Sequence, residues 1–241
     1  MKKLFLEKVR LSHYFFIFLL GYLIIITLLP KVKFDSSALT LFSVNSLLYG
    51  FYIAPILNAQ RARIEELHRI VRSEANAVFA MVLMVKKLPK ELRNDIQSYF
   101  VDYLKSSIKS RRPGEGEANY EKLITFALDY KGAHKEDIDK LLTKLVDNQL
   151  NRTNFSMQMN NRVFNNEWMI MLVLFSITEA FILTIDAGGG FAFKILAALL
   201  CTGLTMLLII LVKMSTLTHK KAKLVWDPYK KLVSSRFYRV D

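Results

Sequence analysis

Ser37-Ala-Leu-Thr-Leu-Phe-Ser-Val-Asn-Ser-Leu-Leu-Tyr-Gly-Phe-Tyr-Ile-Ala-Pro-Ile-Leu57 is long and apolar enough to cross a bilayer, yet it is not uniformly apolar. A hydrocarbon core of roughly 30 Å needs about 20 helical residues. In this stretch Ser43, Asn45, Ser46, Tyr49 and Gly50 fall near the middle and Pro55 near the end. Beyond Leu57 the pattern changes with no stronger breaker than Pro55. Ile64, Leu67, Val71, Ala75, Val78, Val82 and Val85 recur at steps of three and four, which is one face of a helix or a coiled-coil seam. Arg61, Arg63, Glu65, Glu66, Arg69 and Arg72 fill much of the remainder. One long helix is therefore expected to leave the bilayer and enter water, kinked at Pro55.

Three more stretches have the length and apolarity of spans. They run from about Leu11 to Leu29, from Trp168 to Ile185 and from Phe191 to Val212. The first follows Lys2, Lys3, Lys8 and Arg10 and imitates a secretory signal. It is too long for a signal core and no small-x-small site follows, so a retained span is expected. The first two spans are joined through Lys31, Lys33 and Asp35, and the last two by Asp186-Ala187-Gly188-Gly189-Gly190, a turn that no helix would choose.

The composition agrees. The 241 residues are 52% hydrophobic and still carry a net charge of +13, a pairing that suits a helical membrane protein with a basic cytosolic side. That apolar content excludes disorder. The lone Cys201 excludes a disulfide framework, and the scattered His13, His68, His134 and His219 form no metal-ligand cluster. No cofactor is expected.

Orientation follows from the basic residues. Residues 58–165 carry 19 Lys/Arg against 14 Asp/Glu, and the tail from Lys213 carries eight against two. The turns between spans hold few charges. Both termini and the middle are expected in the cytosol. The expected fold is an all-α membrane protein with four transmembrane helices in two hairpins and a helical cytosolic domain between spans two and three. Its parts are a tail and hairpin over 1–57, the cytosolic domain over 58–166, the second hairpin over 167–212 and a basic cytosolic tail over 213–241.

Within the middle region Leu88-Pro89 ends one helix and opens the next, where Leu92, Ile96, Phe100, Tyr103 and Ser107 share a stripe. Arg111-Arg112-Pro113-Gly114-Glu115-Gly116 is a loop. A short helix spans about Asn119 to Tyr130, and a last one starts near Lys135 and runs to Phe164. Asn165 or Asn166 is placed to cap span three, with Glu167 beside its N-terminus and Trp168 at the interface. The sequons at Asn151 and Asn154 are chance matches on the cytosolic side.

Two features point to function. Glu179 lies inside span three, where a carboxylate costs on the order of 2.5–3.5 kcal/mol on insertion scales and faces protein or water. It is either an ion or proton-relay residue or a structural partner of Lys194, Thr178, Thr202 or Thr205. The second feature is span two. Ser43, Leu47 and Phe51 step by four, so oligomerisation about a central axis would stack them, with Gly50, as pore-lining rings. Apolar rings can gate by dewetting. Packing through small residues is the alternative. Arg63-Ile-Glu-Glu-Leu-His68 matches a ribonuclease-like Arg-to-His spacing that chance supplies, and no catalytic constellation accompanies it, so no enzyme is expected. Lys220-Lys221-Lys223 and Lys230-Lys231, with Trp226 and Tyr229, read as an interfacial tail on anionic lipid, and nucleic-acid binding is not expected.

Several short motifs in order carry a resemblance. They are Tyr49-Gly50-Phe51, Arg61 and Arg63, Ser73-Glu74-Ala75-Asn76, Leu88-Pro89, Tyr99 and Tyr103, Asn151-Arg152, Asn166-Glu167-Trp168 and Trp226-Asp227-Pro228-Tyr229. Together with the span layout, the chain resembles a bacterial bestrophin-like domain family of unknown function, distantly similar to the bestrophins. That resemblance implies a homopentamer, span two lining a pore with an apolar neck, and passive flow of inorganic ions. It implies no calcium gating, because the tail has only Asp227 and Asp241 where a calcium clasp would need an acidic run, and Arg61-Ala62-Arg63-Ile64 replaces the Arg-Trp-Trp element of bestrophins. Basic vestibule residues favour anions, whereas Glu179 in the path would favour cations. The readings that stand beside a channel are a non-conducting scaffold whose cytosolic helices bind another protein, and a membrane-disrupting defence effector.

Overall fold

The computed structural model describes residues 9–110, 116–186, 190–219, 222 and 224–234. The basic clusters Lys2, Lys3, Lys8 and Lys220-Lys221-Lys223, the loop residues Arg111 to Glu115 and the centre of the turn at Gly188-Gly189 lie outside them. The described residues are helical without a named strand. Among the described residues nine α-helices follow one another: α1 (Leu11–Leu28), α2 (Ser36–Val85), α3 (Lys90–Ser110), α4 (Glu117–Asp129), α5 (Lys135–Asp147), α6 (Gln149–Asn160), α7 (Asn165–Thr184), α8 (Phe191–Ser215) and α9 (Asp227–Ser234). Four runs are long and apolar enough to cross a membrane: α1, α2, the run ending at Thr184 and α8.

The chain divides into two compact units, residues 1–62 with 162–219, and residues 63–161 with 220–241. In the first unit the tightest helix pair is α1 against α8, not α1 against its chain neighbour α2. Pro30 stops α1 by forcing Leu29 into an extended backbone, φ −71° and ψ 139°. Asp35 then starts α2 by accepting the Ala38 N–H at 2.7 Å. The segments on either side of these spans are clipped together. Val32 N–H donates to the Thr184 carbonyl at 2.8 Å, Asp186 N–H donates to the Val32 carbonyl at 2.9 Å, and Lys31 Nζ donates to the Leu183 carbonyl at 2.8 Å. The last residues of α7 thereby find donors for carbonyls that a helix end leaves open. Phe181 stacks between Phe34 and Phe42 at centroid distances of 4.2 and 4.3 Å.

In the second unit the seam expected from the sequence is buried: Ile64, Leu67, Val71, Ala75, Val78, Val82 and Val85 are all core residues. Two expectations need correction. The helix expected from Lys135 to Phe164 is two helices followed by a non-helical link over 161–164. Tyr120 hydroxyl donates to the Leu145 carbonyl at 2.9 Å, and Asn148 Nδ2 donates to that same hydroxyl at 3.2 Å, so a side chain enters the backbone ladder where α5 ends. Arg63 then donates to the Gln158 and Met159 carbonyls at 2.6 and 2.9 Å, which satisfies the end of α6. The second correction concerns the cap of α7. It is Phe164, and Glu167 Oε2 accepts the Phe164 N–H at 2.8 Å in place of an asparagine cap.

Candidate functional site

The N-terminal part of α2 has two unlike faces. One packs inside the first unit through Tyr49 and Ile53, against Met171, Val163, Leu208 and Leu211. Asn45 belongs to this side: its Nδ2 donates to the Leu174 carbonyl at 3.0 Å and to Thr178 Oγ1 at 2.8 Å. The four residues singled out from the sequence, Ser43, Leu47, Gly50 and Phe51, are on the other face and all are exposed, Leu47 to 60% and Phe51 to 71%. A groove of about 610 Å³ runs along it, lined by Ser46, Leu47, Gly50, Phe51, Ala54, Pro55 and Asn58. Nothing in the unit stands within 4 Å of where a Cβ on Gly50 would lie, so this glycine leaves the groove open. Ser46 Oγ is buried without a partner, while Ser43 donates to its own helix at the Leu39 carbonyl, 2.9 Å away.

Comparison with α1 shows why this face is unusual. On the exposed side of α1, Phe16, Ile17, Leu20, Ile24 and Leu28 form an apolar middle, and the exposed polar residues Ser12, His13 and Thr27 lie toward its two ends. Such a surface suits hydrocarbon. The exposed side of α2 interleaves Ser43, Gly50 and Asn58 with Leu47 and Phe51.

Glu179 is not on that groove. It is 6% exposed, and neither carboxylate oxygen has a hydrogen-bond partner. None of the partners expected from the sequence bonds it. The hydrogen of Thr178 goes to the Leu174 carbonyl at 2.9 Å, that of Thr202 to the Ala198 carbonyl at 2.6 Å, and that of Thr205 to the Cys201 carbonyl at 3.0 Å. A helical threonine commonly turns its hydroxyl back on the preceding turn in this way.

The second unit holds a polar cluster to which the sequence reading gave no role. Glu74 is fully buried and accepts hydrogen bonds from both Tyr103 and Tyr229 hydroxyls, one on each oxygen. Burial pushes the Glu74 carboxyl above its ordinary value, against the pull of the two phenols and of Arg152. Burial likewise raises Tyr103 and Tyr229, and pushes Tyr120 up to about 12. Arg152 lies over the Tyr120 ring at 3.7 Å and the Tyr103 ring at 5.4 Å, pairs with Glu117, and donates to Gln149 Oε1 at 3.1 Å. The signal was present in the seam. Glu74 stands three residues after Val71 and four before Val78, so a carboxylate occupies a core register of the apolar stripe.

The family described as the Bestrophin-like domain matches residues 13–219. The chain belongs to the Bestrophin-like domain family. The match covers the first candidate span from residue 13 onward and the whole of α2 through α8, but ends before Trp226 and Tyr229. No curated protein and no solved structure matches the chain. With its four apolar helices, this Bestrophin-like protein is a membrane protein.

Proposed function

We propose that this Bestrophin-like protein is an oligomeric ion channel, a ring of five copies whose pore is lined by the exposed face of α2. The observation that carries the reading is the mixed character of that face. Ser43 and Gly50 alternate with Leu47 and Phe51 within the span and Asn58 follows at its end, whereas α1 keeps its exposed polar residues, Ser12, His13 and Thr27, toward its two ends and an apolar middle. Around a symmetry axis, Leu47 and Phe51 form apolar constrictions and Ser43 a polar ring, the arrangement that gates by dewetting. The family supports assembly in this form. The excess of Lys and Arg in residues 58–165 favours the orientation with both termini and the 58–166 region in the cytosol of a bacterial inner membrane, with residues 213–241 as a basic tail on the same side. Fields from those cations favour anions modestly.

The test is stoichiometry with conduction. The purified protein is counted by native mass spectrometry and its flux is recorded in liposomes under mixed salts. A ring whose flux rises in Leu47→Ala or Phe51→Ala supports the channel. A monomer or dimer without flux assigns the chain to a scaffold instead.

A further inference from the structure

The environment of Glu179 holds few free donors. Tyr22 hydroxyl is 2.6 Å from Thr205 Oγ1, and because the Thr205 hydrogen goes to the Cys201 carbonyl, Tyr22 is the donor of that bond. Thr178 and Thr202 use their hydrogens on the carbonyls four residues back. Those assignments leave the Cys201 thiol, a weak donor, and the Tyr49 hydroxyl, which is buried and hydrogen-bonds nothing. An ionised carboxylate in such a place needs donors that are already committed. A neutral carboxyl carries no charge for those donors to compensate.

We propose that Glu179 is a proton-binding site of the transmembrane unit, carrying its proton at neutral pH. The groups that act on it come from every element around it: Tyr22 from α1, Tyr49 from α2, and Cys201 and Thr205 from α8. Lys31 bears on Cys201 and has its ammonium on the Leu183 carbonyl. Release of the proton places an uncompensated charge among these helices, so the unit responds to protons independently of any ion that it conducts. The proposal does not rest on the pore.

The experiment treats the full chain in liposomes with dicyclohexylcarbodiimide, which reacts with protonated carboxyls in apolar surroundings. The acid oxygen bonds to the central carbon of the reagent and the acid proton moves to one of its nitrogens, so the peptide gains the whole reagent mass. Peptide mass spectrometry is expected to place the label on Glu179 at neutral pH, with labelling that declines as pH rises and is absent in Glu179→Gln. A water-soluble carbodiimide is expected to mark the exposed Asp35 and Asp186 instead. Infrared difference spectra of wild type against Glu179→Gln are expected to show a neutral carboxylic carbonyl. Unlabelled Glu179 in the wild type, or a carboxylate band in place of the neutral carbonyl, overturns the proposal. Neither readout depends on flux or subunit number, so its failure is distinct from failure of the channel reading.

Discussion

Among the described residues each unit of the chain buries one glutamate, and the two are treated in opposite ways. Glu74 accepts a hydroxyl on each oxygen and has Arg152 nearby. Glu179 has no partner on either oxygen, although three threonines and a tyrosine stand on neighbouring turns. The difference is in how the surrounding hydrogens are used. In the second unit the aromatic side chains come from separate helices, α3 and α9, and have no carbonyl of their own turn to satisfy. In the first unit the hydroxyls sit on helices whose preceding turn takes the hydrogen before the carboxyl can. A buried acid is therefore a stability device in one place and a chemically open group in the other.

The largest effect expected from this contrast is that of Glu74→Ala. Two phenolic hydroxyls lose their acceptor inside a packed core, each at a cost of about 1–3 kcal/mol, so a loss of about 2–6 kcal/mol is expected. Fluorescence of Trp226, which contacts Phe155 and Tyr229, reports this unit in a Trp168→Phe background during chemical denaturation in detergent. Tyr103→Phe and Tyr229→Phe each remove one donor to a carboxylate and are expected to lose about 1.5–3 kcal/mol. Glu179→Gln has no bond to lose, and a smaller change than at Glu74 is expected. Equal losses at Glu74 and Glu179 would break the contrast.

The pH dependence sharpens it further. Burial raises Glu74 above its model-compound value of 4.5, so the folded second unit holds a proton that the unfolded chain has released. Stability then falls as pH rises from about the unfolded value toward the raised folded one. The same slope is expected to vanish in Glu74→Gln, measured as denaturation midpoint against pH. A wild-type midpoint that rises with pH over that window would contradict the direction.

Much of this could be read in the chain itself. The apolar runs mark the four long apolar helices, because the length of such a run is a direct physical requirement. The steps of three and four from Ile64 to Val85 mark a buried helical face, and every residue of that list is in the core. Partnerships at a distance were less legible. Arg63 closes α6 and Tyr120 ends α5 through contacts separated by 95 and 25 positions, which no local period encodes. Glu74 shows what a sequence can signal without explaining: a charge in a seam register announces a buried partner, but its identity, Tyr229 on α9, depends on how the tail returns to the unit. The residues proposed for the pore share one exposed face of α2, yet exposure on a single chain does not by itself name what covers it.

Arg152 offers an intermediate test, since its guanidinium is held by geometry as well as by charge. It is buried over the Tyr120 ring while Glu117 remains partly exposed, so the stack and not the ion pair dominates. Arg152→Lys keeps the charge and loses the planar stack and the fork, and a loss of about 1–2 kcal/mol is expected.

The last comparison is between two asparagines that do the same job in the two units. Asn148 is buried in the second unit, where Nδ2 donates to the Tyr120 hydroxyl and Oδ1 accepts from Asn151 Nδ2 at 2.9 Å. Asn45 in the first unit donates from Nδ2 to the Leu174 carbonyl and to Thr178 Oγ1. Counting bonds alone makes the two alike, and a nonpolar solvent is usually held to strengthen the second. Measured polar contacts between membrane helices average only about 0.6 kcal/mol, because the separated helices also find partners in the bilayer. Here the Leu174 carbonyl and Thr178 Oγ1 remain bonded to each other when Asn45 is removed, so neither is left bare. Asn148→Ala instead strips a partner from a phenol closed in a core. Asn148→Ala is therefore expected to lose about 1–3 kcal/mol and Asn45→Ala about 0.6 kcal/mol, compared by the denaturation midpoints of each unit. The reverse order would mean that the bilayer, and not the availability of substitute partners, sets the strength of polar contacts in this protein.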